Sequence, residues 1–194
     1  MPPPRVACVV VPLFPLAARL RSEPELAGEA VAVFEGNGNA ARVVAATRPA
    51  RRIGIRAGQT LPQARALLPD LLARGRDRES ERAAQEALTE VADTFSPRVE
   101  SAGDGVLYFD AAGIPVPPPS CHPERSEGSL PSPEDVLELR LGRAVIAAVE
   151  KAGLPARFGI AASKLSKSHL GRIAMPAAFI SSWPKSRSPP RASA

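Results

Sequence analysis

The chain has 194 residues, 44% of them hydrophobic, with 22 prolines and a formal net charge of +5. That is apolar material for one large domain or two small ones, and no apolar run is long enough to span a bilayer. Only Lys151, Lys164, Lys167 and Lys185 are lysines, so arginine carries the basic character. Guanidinium grips phosphate bidentately, which favours polyphosphate or nucleic-acid partners; a GC-rich genome produces the same bias without any such partner. The two cysteines, Cys8 and Cys121, form no CxxC pair, so no zinc site is expected and the chain reads as reduced and cytoplasmic.

In chain order, Val6–Val11 is a continuous β-branched run, as expected of a central strand buried on both faces. With Arg5 before it and Ala17-Ala18 after it, the run imitates a signal peptide, but Pro12 and Pro15 interrupt it. Leu16–Leu20 starts a short helix. Ala30–Phe34 and Val43–Ala46 bracket the turn Gly36-Asn37-Gly38-Asn39 and read as a hairpin. Thr60 is a fair N-cap, with Pro62 in the first turn and Ala64, Leu67 and Leu68 as the apolar face. Arg42, Arg48, Arg51, Arg52, Arg56, Arg65, Arg74, Arg76 and Arg78 crowd one stretch, opposed within it only by Asp70 and Asp77. It is either a solvated charged face or a phosphate-binding subdomain.

Glu79–Phe95 has helical periodicity, with Ala84, Ala87, Leu88, Val91 and Phe95 on one side. Ser96–Gly113 reads as a hairpin. Pro97–Glu100 and Val106–Phe109 are its strands, and Gly103-Asp104-Gly105 is a turn whose backbone lies open to solvent or ligand. Ile114–Pro133 is rich in Pro and Ser and reads as a disordered excursion. Ser132 caps a helix that begins at Pro133 and stops at Gly153. Arg157–Ala162 is a strand, and a helix starts at Ser163. Ser166–Ala194 has no acid and reads as a thumb remnant or a disordered basic tail.

Five segments in this order carry a resemblance: the apolar first strand, RSEPELAGEAVAV, VVAATRPARRIGIRAGQTLPQARALLPDL, SPRVESAGDGVLYFDAAG and RFGIAASKL. Together they resemble the N-terminal part of a Y-family (UmuC/DinB-type) translesion DNA polymerase. The Arg-x-x-Gly-Ile-Arg-x-Gly pattern from Arg51 to Gly58 is the most specific signal. The resemblance implies an α/β (α+β) fold: a ferredoxin-like palm at 1–20 and 78–165, interrupted by the 114–133 insert, with small fingers at 21–77. It places Arg48 and Arg51 near a triphosphate, with Lys164 as a further phosphate ligand. DNA as primer-template, an error-prone polymerase and the sliding clamp are the implied partners.

The departures bear on activity. Family nucleotidyl transfer uses metal ions held by carboxylates. The family's acid positions fall at Val10, Gly105 and Val106, and a further ligand position at Pro12; none offers a side-chain oxygen. No catalytic residue, metal ligand or cofactor is therefore expected, with Mg²⁺ needed only if activity survives. The pattern is similar to the non-catalytic ImuB-like branch, thought to act as adaptors in damage-induced mutagenesis. Two alternatives stand beside it. One is residual polymerase activity through an improvised site of Asp104 with Glu100 or Asp110. The other is a truncated product with no function of its own, since the sequence carries no counterpart of the family's little finger.

Overall fold

The computed structural model describes residues 5–112, 114 and 133–161, with the backbone alone for 133–135. The expected helix from Ser163, Lys164, the basic tail and nearly all of the Pro/Ser-rich insert lie outside the described residues. The chain divides into two compact units, an inserted one at Leu13–Glu81 and an outer one that flanks it in sequence.

The outer unit runs β1 (Val6–Val10), α4 (Arg78–Asp93, from Arg82), β5 (Val99–Gly103), β6 (Val106–Asp110), α5 (Pro133–Lys151) and β7 (Arg157–Ala161). Its sheet has the order β5-β6-β1-β7, with β1 antiparallel to both neighbours. This βαββαβ arrangement is the ferredoxin-like unit. The signal-peptide look of the N-terminus is resolved by β1, which is a central strand. Alternation sends its side chains to two faces. Ala7, Val9 and Val11 share one face with Leu107, Phe109 and Phe158, all buried, and the Phe109 and Phe158 rings lie 6.3 Å apart. Helix α5 packs close here: a Cβ on Gly142 would sit 2.8 Å from the Phe158 ring. Helix α4 turns Ala84, Leu88 and Ala92 inward, as its periodicity foretells. Its start is fixed by Asp77, whose Oδ1 accepts from the Glu79 and Ser80 amides.

The inserted unit contains α1 (Phe14–Ser22), β2 (Val31–Glu35), β3 (Arg42–Ala46), α2 (Arg48–Arg52), α3 (Leu61–Leu67) and β4 (Leu72–Gly75), with the sheet order β3-β2-β4. The expected β2–β3 hairpin forms, in the register Ala32↔Ala46 to Glu35↔Arg42. Strand β4, too short and too arginine-rich to stand out in the sequence, pairs parallel to β2. Leu16 and Leu20 of α1 pack with Leu26, Val31, Val33 and Ala45. That packing draws α1 into this unit, so the division falls after Pro12 rather than after Leu20, and after Glu81 rather than after Asp77. Thr60 and Gln63 form a reciprocal capping box at the start of α3, which satisfies two otherwise orphaned amides. Ala64 is fully buried, but Leu67 remains 47% exposed. The expected apolar face of α3 is thus narrower than its sequence suggests.

Candidate functional site

Within the outer unit, the strand positions that the resemblance assigns to metal ligands come together. Val10 and Val106 are direct cross-strand partners. Both are 6% exposed, and they cluster with Cys8, while Tyr108 packs alongside. Burial pushes the Cys8 thiol up to about 11, against a smaller lowering by its hydrogen bond to Tyr108. The environment is therefore dry and favours neutral groups. Magnesium requires hard oxygen ligands. Two valines, a thiol and the bare backbone of Gly105 do not supply them, so these residues do not fit the ion. Among the described residues, no three His, Cys, Asp or Glu side chains gather around a possible metal position.

The hairpin tip differs from its expected state. Asp104 and Gly105 have φ values of 49° and 75°, the signature of a type I′ turn, which Asp-Gly adopts readily. Its backbone is not open. Gly105 donates to Gln85 Oε1 at 2.9 Å and accepts from the Val11 amide at 2.8 Å. Gln85 Nε2 also donates to Ser101 Oγ at 2.9 Å and to the Val106 carbonyl at 3.3 Å. Helix α4 thus fastens the turn through one side chain. Sequence reasoning missed Gln85; its only signal was a polar residue beside the apolar stripe of Ala84 and Leu88.

The improvised Asp104–Asp110 site is not assembled. Asp110 sits at the far end of β6, opposite Val6. At about 3.3 Å per residue it lies on the order of 13 Å along the strand from Val106. It is engaged there by the Ala112 amide at 2.9 Å and faces Arg98 at 3.6 Å. Glu100 lies opposite Tyr108 on β5, away from the tip, and Asp104 is exposed in the turn.

In the inserted unit, the arginine-rich stretch separates into two groups. Arg74, Arg76 and Arg78 are neutralised by Glu23, Glu35 and Glu81, carboxylates outside the stretch that the sequence weighed. Arg76 binds the buried Glu81 through two bonds, at 2.7 and 2.9 Å. Arg19 joins Glu23 and Asp77. The carboxyls of Glu23 and Asp77 are held below their ordinary values, Glu23 first by its hydrogen bond from Arg74 and Asp77 first by that from the Ser80 hydroxyl. By contrast, Arg42, Arg48, Arg51, Arg52, Arg56 and Arg65 are exposed, and none makes an ion pair among the described residues. Arg48 and Arg51 both lie on α2, one turn apart and so on one side of it. The start of α2 is anchored by Thr47, whose hydroxyl donates to the Glu29 carbonyl at 2.8 Å and accepts from the Val31 amide at 3.0 Å. Arg42 donates to the Gly58 carbonyl at 2.9 Å, and Arg56 to the carbonyls of Arg51 and Ile55.

A ferredoxin-like sheet interrupted by a small arginine-bearing unit is the palm and fingers architecture of Y-family DNA polymerases. Solved structures agree. The chain is similar to DinB from Sulfolobus solfataricus, with 18% identity and a TM-score of 0.64 over 87% of this chain and 45% of that one. It is similar to Dbh DNA polymerase in a post-insertion binary complex, with 18% identity and a TM-score of 0.68 over 87% and 45%, and in an insertion ternary complex, with 17% identity and a TM-score of 0.63 over 82% and 43%. The chain thus spans less than half the length of these relatives. No curated protein sequence matches it. The chain belongs to the impB/mucB/samB family (IMS), whose pattern matches residues 10–167.

Proposed function

We propose that this chain is a catalytically silent Y-family palm–fingers module of the ImuB-like kind, an adaptor in translesion DNA synthesis. One observation carries the reading: Val10 faces Val106 across the central strands, inside an apolar cluster. Nucleotidyl transfer needs cations to neutralise the charge developing on phosphate, and this pocket lacks the side chains to hold them. The similar structures titled as binary and ternary complexes of Dbh DNA polymerase support a DNA-directed role. Arg48 and Arg51, exposed on α2, are the proposed phosphate contacts, with Lys164 a third by family resemblance. A sliding clamp and an error-prone polymerase in the cytoplasm are the proposed partners.

A primer-extension assay with Mg²⁺ tests the central claim; no extension is expected, and robust extension by the purified chain would sink it. Salt-dependent binding of primer–template DNA tests the second claim. The double substitution Arg48→Ala/Arg51→Ala should flatten the log–log salt dependence by about two contacts' worth, roughly 0.9 per phosphate. An unchanged slope would remove these residues from the interface.

A further inference from the structure

We infer that one exposed corner of the inserted unit, built from Arg52, Ile53, Arg56, Arg65 and Leu67, docks a short acidic segment with aliphatic side chains on a partner protein. This rests on the adaptor reading and gives the chemistry of a partner that such a role requires. Ile53 is 45% exposed and Leu67 is 47% exposed, unusual for large aliphatic groups in this chain. They adjoin: Leu67 Cδ1 lies 3.8 Å from where a Cβ on Gly54 would stand, beside Ile53. Arg52 and Ile53 close α2 and Leu67 closes α3, with Arg65 one turn or less away. Around this apolar pair the cations are surplus. Arg52, Arg56 and Arg65 make no ion pair among the described residues, whereas Arg74, Arg76 and Arg78 of the same unit are each matched to a glutamate.

Apolar centre and cationic rim fit an occupant of complementary pattern: carboxylates for the guanidinium forks and aliphatic groups for Ile53 and Leu67. The same corner suits nucleic acid less well. Non-specific strand binding leans on aromatic side chains that stack bases. The aromatic residues within Leu13–Glu81, Phe14 and Phe34, are 4% and 5% exposed and belong to the core. What the corner presents instead is aliphatic surface, which rewards peptide side chains.

The test is fluorescence anisotropy on the full chain with three labelled probes: a peptide alternating glutamate and leucine, its glutamate–serine counterpart, and an oligothymidylate. The glutamate–leucine peptide should bind more tightly than the glutamate–serine one. Ile53→Ser/Leu67→Ser should weaken it by about tenfold, equivalent to 1.4 kcal/mol, and leave oligothymidylate binding unchanged. Arg52→Glu/Arg65→Glu should weaken both peptides. Equal affinity for the two peptides would reduce the corner to bare charge and overturn the proposal. So would oligothymidylate binding that depends on Ile53 and Leu67, or an absence of peptide binding. A thermal melt on each variant guards against unfolding; if the double variant melts early, Leu67→Ser alone carries the comparison. Failure here leaves the catalytic reading standing, since primer extension is measured separately.

Discussion

Val10 and Val106 in the outer unit and Arg48 and Arg51 in the inserted unit occupy positions that the resemblance assigns to polar chemistry, yet the two pairs have fared differently. The valines are buried with Cys8 in a dry cluster. The arginines stand exposed and without ion pairs among the described residues. A sheet face tolerates the loss of buried charge, because aliphatic groups pack there without a desolvation cost. A surface helix gains nothing in folding from an unmatched guanidinium. Charge kept at such a place is best understood through what binds it, whereas charge lost from a core strand improves the fold.

The most severe way to break this contrast is to return a carboxylate to the strand. Val10→Asp would bury an unpaired charge beside Cys8 and Val106, and should destabilise the outer unit by at least about 3 kcal/mol or raise the new group's pKa steeply. A thermal melt checks this; an unchanged midpoint would mean that the cluster is wet. Next in size is Arg76→Ala. It strands Glu81, whose side chain is 7% exposed, and should cost roughly 3 kcal/mol, near the lower end for a broken buried pair. The same change at Arg48 should stay within about 0.5 kcal/mol, as for other exposed sites. If urea titration showed equal losses, the division of the arginines into structural and free groups would fail.

Gln85→Ala should cost about 1–3 kcal/mol, because the buried Gly105 amide loses its acceptor. Faster hydrogen exchange at Gly105 would report it, and unaltered exchange would deny Gln85 its role as a clamp.

Changes of pH produce the smallest effects, and the two units should respond at opposite ends of the scale. The folded Cys8 thiol titrates at about 11, above its ordinary 9.0. Its contribution to stability is complete below the ordinary value and fades as pH rises through the folded one. Glu23 and Asp77 have lowered values in the fold. Their contribution is present above the ordinary carboxylate range and disappears as pH falls through the lowered values. Alkali should therefore weaken the outer unit first and acid the inserted one. Amide exchange followed residue by residue across pH would show the reverse order if the assignment were wrong.

Much of the fold was legible in the sequence because it rests on local physics. The β-branched run that became β1, the Gly/Asn cluster between β2 and β3, the Asp-Gly turn and the Thr60 cap all act through residues a few positions apart. The alignment of Val10 with Val106 was legible only through resemblance; the antiparallel register of β1 and β6 then made them neighbours.

What the tertiary structure decided is who meets whom over long separations. The sequence could count nine arginines between Arg42 and Arg78 but could not see that Glu23, Glu35 and Glu81 come from outside that stretch to neutralise three of them. Nor could it see Gln85 reach the hairpin tip from α4, or Leu67 left uncovered at the end of α3. Backbone preference is written residue by residue, whereas charge pairing and burial depend on packing between segments distant in the chain, and only the folded chain brings those segments together.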